Sequence, residues 1–98
     1  MTGVQTCALP IYCFVTAVGL DPKLAYAWGN LGFALAAGES ILVNGKSFSQ
    51  KDCYVTALGR DPKFADAWYN LGVALATGES IIVNGKRFTK QECLKNGK

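Results

Sequence analysis

Laid against itself at an offset of 40 residues, the chain aligns Cys13 with Cys53 and Cys93, Asp21-Pro22-Lys23 with Asp61-Pro62-Lys63, and Trp28 with Trp68. Positions 13–50 and 53–90 share 26 identities in 38, among them Asn30-Leu31-Gly32 with Asn70-Leu71-Gly72 and Asn44-Gly45-Lys46 with Asn84-Gly85-Lys86. Self-similarity at this period means repeated structural units, each hiding its apolar face against the next. Residues 1–11, MTGVQTCALPI, stand outside the repeat. They resemble the translated read-through of a sequencing-library adapter, so an artefactual, unstructured leader is expected there. A genuine genomic exon upstream of Tyr12 would refute that reading.

Within one unit the pattern changes period. Asp61 suits a helix N-cap and Pro62 the first helical position, which predicts a helix over residues 61–77. Its apolar residues Phe64, Trp68, Leu71 and Leu75 recur at spacings of four, three and four, the stripe of a buried face. Gly72 interrupts this helix at a cost of about 1 kcal/mol relative to Ala, and close approach of a neighbouring helix is the usual compensation. Gly78 stops it. β-Branched residues then lead into Asn84-Gly85, a two-residue hairpin turn that sets Val83 opposite Lys86 and Ile81 opposite Phe88. A lone hairpin is marginal in water, so its apolar face is expected to pack on its own unit. Thr89-Lys90-Gln91-Glu92 reads as a capping box, with Ser49-Gln50-Lys51-Asp52 a weaker copy. The helix after it should bury Cys53, Tyr54, Ala57 and Leu58.

Trp68-Tyr69-Asn70-Leu71-Gly72, with Leu75 beyond and Tyr54, Ala57, Leu58, Asp61 and Pro62 in the other helix, resembles the tetratricopeptide signature. The resemblance covers about residues 12–98. It implies a mainly α fold, an α-solenoid of antiparallel helix pairs with a short β-hairpin inserted between the two helices of each repeat. The expected division is a second helix of a truncated repeat at 12–20, a full repeat at 21–60 and a C-terminally truncated repeat at 61–98. The family repeat has 34 residues, and the hairpin accounts for the six extra here. Gln50 and Lys90 stand where the family places a small residue. Arrays of this kind usually need three or more units, which predicts weak or molten folding of the isolated chain.

Composition narrows function. The chain has no histidine, which removes Ser-His and Cys-His nucleophile pairs and imidazole metal sites, so no enzyme and no cofactor is expected. A net charge of +3 among 98 residues is too mild to argue for nucleic acid. The apolar stretch from Ala8 to Leu20 is too short to span a bilayer and lacks a basic lead, so neither a signal peptide nor a membrane helix is expected. Gly38 through Ser47 lacks the second glycine of a phosphate loop. Cys13, Cys53 and Cys93 on stacked units lie on the order of 10 Å apart, too far for shared zinc or a disulfide, which leaves them as reduced packing residues in a cytoplasmic setting.

The two copies can also be compared for what they change. Beyond Leu24/Phe64, the first helices differ at Tyr26/Asp66, Gly29/Tyr69, Phe33/Val73 and Ala37/Thr77, positions that step along one helical face. In the resembled family this face lines a concave groove. The resemblance therefore implies a non-catalytic protein–protein interaction scaffold gripping a partner peptide or protein segment of unknown identity. Its expected contacts are Tyr26, Gly29, Asn30, Phe33, Asp66, Tyr69, Asn70 and Val73, beside neighbouring repeats of a longer parent. A solvent-facing stripe free to drift is the plain structural alternative. An RNA-reading helical repeat and a targeting appendage of a larger enzyme are the alternative functions.

Overall fold

The computed structural model describes residues 10–21, 23–35 and 38–97, with side chains from residue 14 onward. Residues 1–9 of the leader, Pro22, Ala37 and the side chain of Cys13, all used in the sequence reading, lie outside the described residues. The elements follow in the order α1 (Pro10–Leu20), α2 (Ala25–Ala34), β1 (Ser40–Val43), β2 (Lys46–Ser49), α3 (Gln50–Arg60), α4 (Ala65–Ala74), β3 (Ser80–Val83), β4 (Lys86–Thr89) and α5 (Lys90–Asn96). Strands β1 and β2 form one antiparallel two-stranded sheet, and β3 and β4 the other.

The hairpin register is the one that an Asn-Gly turn dictates: Ile81 pairs with Phe88 and Val83 with Lys86, and Ile41 pairs with Phe48 in the first unit. Asn44, Gly45, Asn84 and Gly85 all take positive φ, as a turn matching the twist of its strands requires. Val43 and Val83 are buried, and Phe48 and Phe88 meet Trp28 and Trp68 at ring-centroid distances of 4.7 Å. Both capping boxes form, from Ser49 and Asp52 ahead of α3 and from Thr89 and Glu92 ahead of α5. Cys53, Tyr54, Ala57 and Leu58 are buried in α3.

The aspartate-proline helix start does not form. Asp61 is extended, its N–H donates to the Ala57 carbonyl at 2.8 Å to close α3, and its carboxylate accepts from the Lys63 N–H at 3.1 Å. The N-cap of α4 is Phe64, without a side-chain cap, and Leu75 turns extended at the other end, so the helix is ten residues rather than seventeen. Asp61 instead serves as the C-cap of α3, and its carbonyl accepts the Phe64 N–H at 3.1 Å in a turn that delays the start of α4 to Ala65.

That shortening overturns the expected architecture. Helices of ten residues run only about 15 Å, and Phe48 and Phe88 of the hairpins pack on Trp28 and Trp68 beside them. The hairpins complete the enclosure, and one apolar core runs from Val18 through Trp28, Val43, Tyr54, Trp68 and Val83 to Cys93, drawing on helices and sheets alike. The radius of gyration, 13.5 Å, is close to the ~13 Å of a compact domain of about 100 residues. The described residues thus form a small body of five helices and two small sheets, not the expected α-solenoid with hairpin insertions, and not a helical-repeat scaffold.

Candidate functional site

Several polar side chains among the described residues hold the protein's own backbone. Gln50 Nε2 donates to the carbonyls of Gly32 and Leu35 at 3.1 and 2.9 Å, and Lys90 Nζ donates to those of Gly72 and Leu75 at 2.7 and 2.8 Å. Each therefore caps the C-terminal end of the preceding helix, where orphan carbonyls and the negative end of the dipole favour a donor. Asn84 Nδ2 donates to the Leu58 carbonyl at 3.2 Å, which ties the second hairpin to the end of α3. Glu79 accepts from the Ala76 N–H at 2.8 Å and from Lys51 at 3.1 Å on both oxygens. The Ala76 amide first, and then Lys51, hold its carboxyl below the usual carboxylate value.

Against this background the outer face of α2 and α4 stands apart. Among the described residues, the carboxamides of Asn30 and Asn70 and the carboxylate of Asp66 have no hydrogen-bond or ion-pair partner. Asp21, Asp52, Asp61, Glu79 and Glu92 each accept a backbone amide, and Glu39 is engaged too, which leaves Asp66 alone among seven acidic residues. Large apolar side chains are exposed on the same helices: Phe33 at 72%, Tyr26 at 61%, Val73 at 56% and Tyr69 at 52%.

A hollow of about 240 Å³ lies between α2 and α4, lined by Gly29, Asn30, Phe33, Phe64, Asp66, Ala67 and Asn70. Five of the eight expected contacts, Gly29, Asn30, Phe33, Asp66 and Asn70, thus share one concavity. Tyr26, Tyr69 and Val73 lie outside it. Gly29 is buried and supplies space: a Cβ built there would come within 2.8 Å of Phe64 Cε2. Tyr69, its counterpart, has Gly97 against its backbone, where an added Cβ would sit 2.7 Å from the Tyr69 nitrogen.

Phe64 was expected as part of the buried stripe, yet it is only half-buried and walls the hollow. The sequence holds a signal for this, since Leu24/Phe64 and Gly29/Tyr69 are both sites of variation. The caps at Gln50 and Lys90 were also missed. Their signal is that both units place a long nitrogen donor at that position.

Among the described residues lining the hollow, Asp66 alone is ionisable. Burial, with Asp52 adding to it, pushes the Cys53 thiol up to about 12, and burial also raises Cys93, so neither sulfur is an activated thiolate. Both are free thiols. Among the described residues no helix is long and apolar enough to cross a membrane. No family model, curated protein or solved structure matches the chain.

Proposed function

We propose that this chain is a non-catalytic binding module that holds a protein or peptide segment along the outer face of α2 and α4. One observation carries the reading: the carboxamides of Asn30 and Asn70 and the carboxylate of Asp66 converge unused on one hollow, beside four exposed large apolar side chains. Unused carboxamides can bond an extended peptide's amides and carbonyls, and rigid aromatic rings supply anchors at low entropic cost. The two units also differ on this face, at Tyr26/Asp66, Gly29/Tyr69 and Phe33/Val73, while the Trp28/Trp68, Leu31/Leu71 and Leu35/Leu75 stripe beneath it is the same in both. A protein that presents different side chains on one backbone frame can vary its partner without losing its fold. The buried free thiols suit a reducing, cytoplasmic setting.

The test is selection of binding peptides from a random seven-residue display library, followed by amide chemical-shift mapping of the selected peptides on the 98-residue chain. Shifts concentrated at Asn30, Phe33, Asp66 and Asn70 are expected. Selected peptides whose shifts fall elsewhere, or a library that enriches nothing, would refute the proposal.

A further inference from the structure

We infer that the hollow between α2 and α4 takes an arginine side chain of the bound segment; this rests on the reading that the hollow receives a protein segment. The first argument is size. A volume of about 240 Å³ is below the ~300 Å³ at which small-molecule pockets begin, so it suits one long side chain.

The second argument is charge. Asp66 lies in the first turn of α4 and opens to the hollow with no partner of its own, whereas the other six acidic residues are committed within the fold. Nor does the repeat frame require it, because the equivalent position in the first unit is Tyr26. Asp66 is exposed and also suits the N-terminal end of α4, so its carboxylate is stable alone, but within the hollow it attracts a cation or strong donor and repels phosphates and acidic peptides.

The third argument is shape. Phe33, the most exposed ring on this face, and half-buried Phe64 line the same hollow as Asp66. A planar guanidinium can accept this combination by bonding the carboxylate bidentately while it lies against an aromatic face; a lysine ammonium can do only the first, and as a point charge. Asn30 and Asn70, one from each helix, remain free for the backbone on either side of that arginine. They stand three and four residues from Phe33 and Asp66, on the same helical faces.

The experiment measures fluorescence anisotropy of labelled Gly-Ser-Tyr-Arg-Tyr-Ser-Gly against versions with Lys, Gln or Glu at the centre, and against a labelled oligouridine. The arginine probe is expected to bind about tenfold tighter than the glutamine probe, one charge-assisted bidentate pair's worth, and to weaken as salt rises. Asp66→Asn should abolish that preference. Asp66→Lys should turn the preference toward the glutamate probe, and Phe33→Ala should bring the arginine probe down to the lysine probe. Equal binding of the arginine and glutamine probes, a preference that survives Asp66→Asn, tighter binding of the oligouridine, or no binding of any probe each overturns the inference. A library that selects peptides on this face without arginine would leave the peptide-binding reading standing and sink only the arginine.

Discussion

Both units cap the same two carbonyls at the end of their leading helix, but unit one does so with the neutral amide of Gln50 and unit two with the ammonium of Lys90. The frame thus requires a donor that reaches two acceptors, and is indifferent to whether it carries charge. On the outer face the reverse holds. There Tyr26 and Asp66 differ in size and charge and Phe33 and Val73 in size while the backbone beneath keeps its course, and among the described residues no hydrogen bond or ion pair depends on the choice. Positions with a geometric duty tolerate only chemical equivalents, and positions without one are free to carry recognition.

Several substitutions would break or sharpen that contrast. Trp68→Ala should have the largest effect, since it empties the core against Phe88 and discards the 2.7 Å bond from Trp68 Nε1 to the Pro62 carbonyl. A loss of about 3–5 kcal/mol is expected, enough to remove the cooperative urea transition of a small domain altogether. Trp28→Ala should match it if the two frames are equivalent. A surviving sharp transition in either variant would show that the Trp is not part of the frame.

Next come the helix glycines. Alanine would favour helix by about 1 kcal/mol, yet a Cβ at Gly72 would meet Leu94 at 2.8 Å for its side chain and 3.0 Å for its backbone nitrogen. A Cβ at Gly32 would meet the Tyr54 ring at 2.8 Å and Cys53 Cβ at 3.1 Å, side-chain atoms only. Gly72→Ala should therefore cost about 1–3 kcal/mol by urea denaturation, and Gly32→Ala less, because a side chain can yield where backbone cannot. The opposite order would mean that the two helix approaches are not governed by the same contact.

Lys90→Met should cost about 1–2 kcal/mol by stranding the Gly72 and Leu75 carbonyls, whereas Lys90→Gln and Gln50→Lys should leave the urea midpoint nearly unchanged. If Gln at position 90 proved as damaging as Met, charge rather than donor geometry would be the requirement.

The smallest effect expected is in acid. Glu79's carboxyl is held below its ordinary 4.5 by the Ala76 amide and by Lys51, so its contribution is present above that ordinary value and is lost as pH falls through the lowered one. Lys51→Met should make stability less sensitive to pH below about 4.5 without abolishing the sensitivity, because the Ala76 bond remains. No change in the acid limb would place the ion pair outside the energetics of the fold.

Read alone, the sequence already contained the period, the buried Trp-Leu-Leu stripe, the hairpin register and the capping boxes, because each follows from contacts within a few residues or from a two- or four-residue spacing. It also marked the variable face and, with it, Asn30, Phe33, Asp66 and Asn70. The rest needed coordinates. Asp61 could serve as a helix cap or as a turn acceptor, and local propensity cannot choose between them; the turn forms and the helix shortens. Beside the short helices the hairpins pack on the tryptophans through Phe48 and Phe88, and a mixed body sharing one core stands in place of the expected α-solenoid. Which acidic side chain is left without a partner is likewise a property of the whole, since it is known only after every amide and ammonium has found its acceptor. Spacing along a chain decides which face a side chain takes, and only packing in three dimensions decides what is left for it to meet.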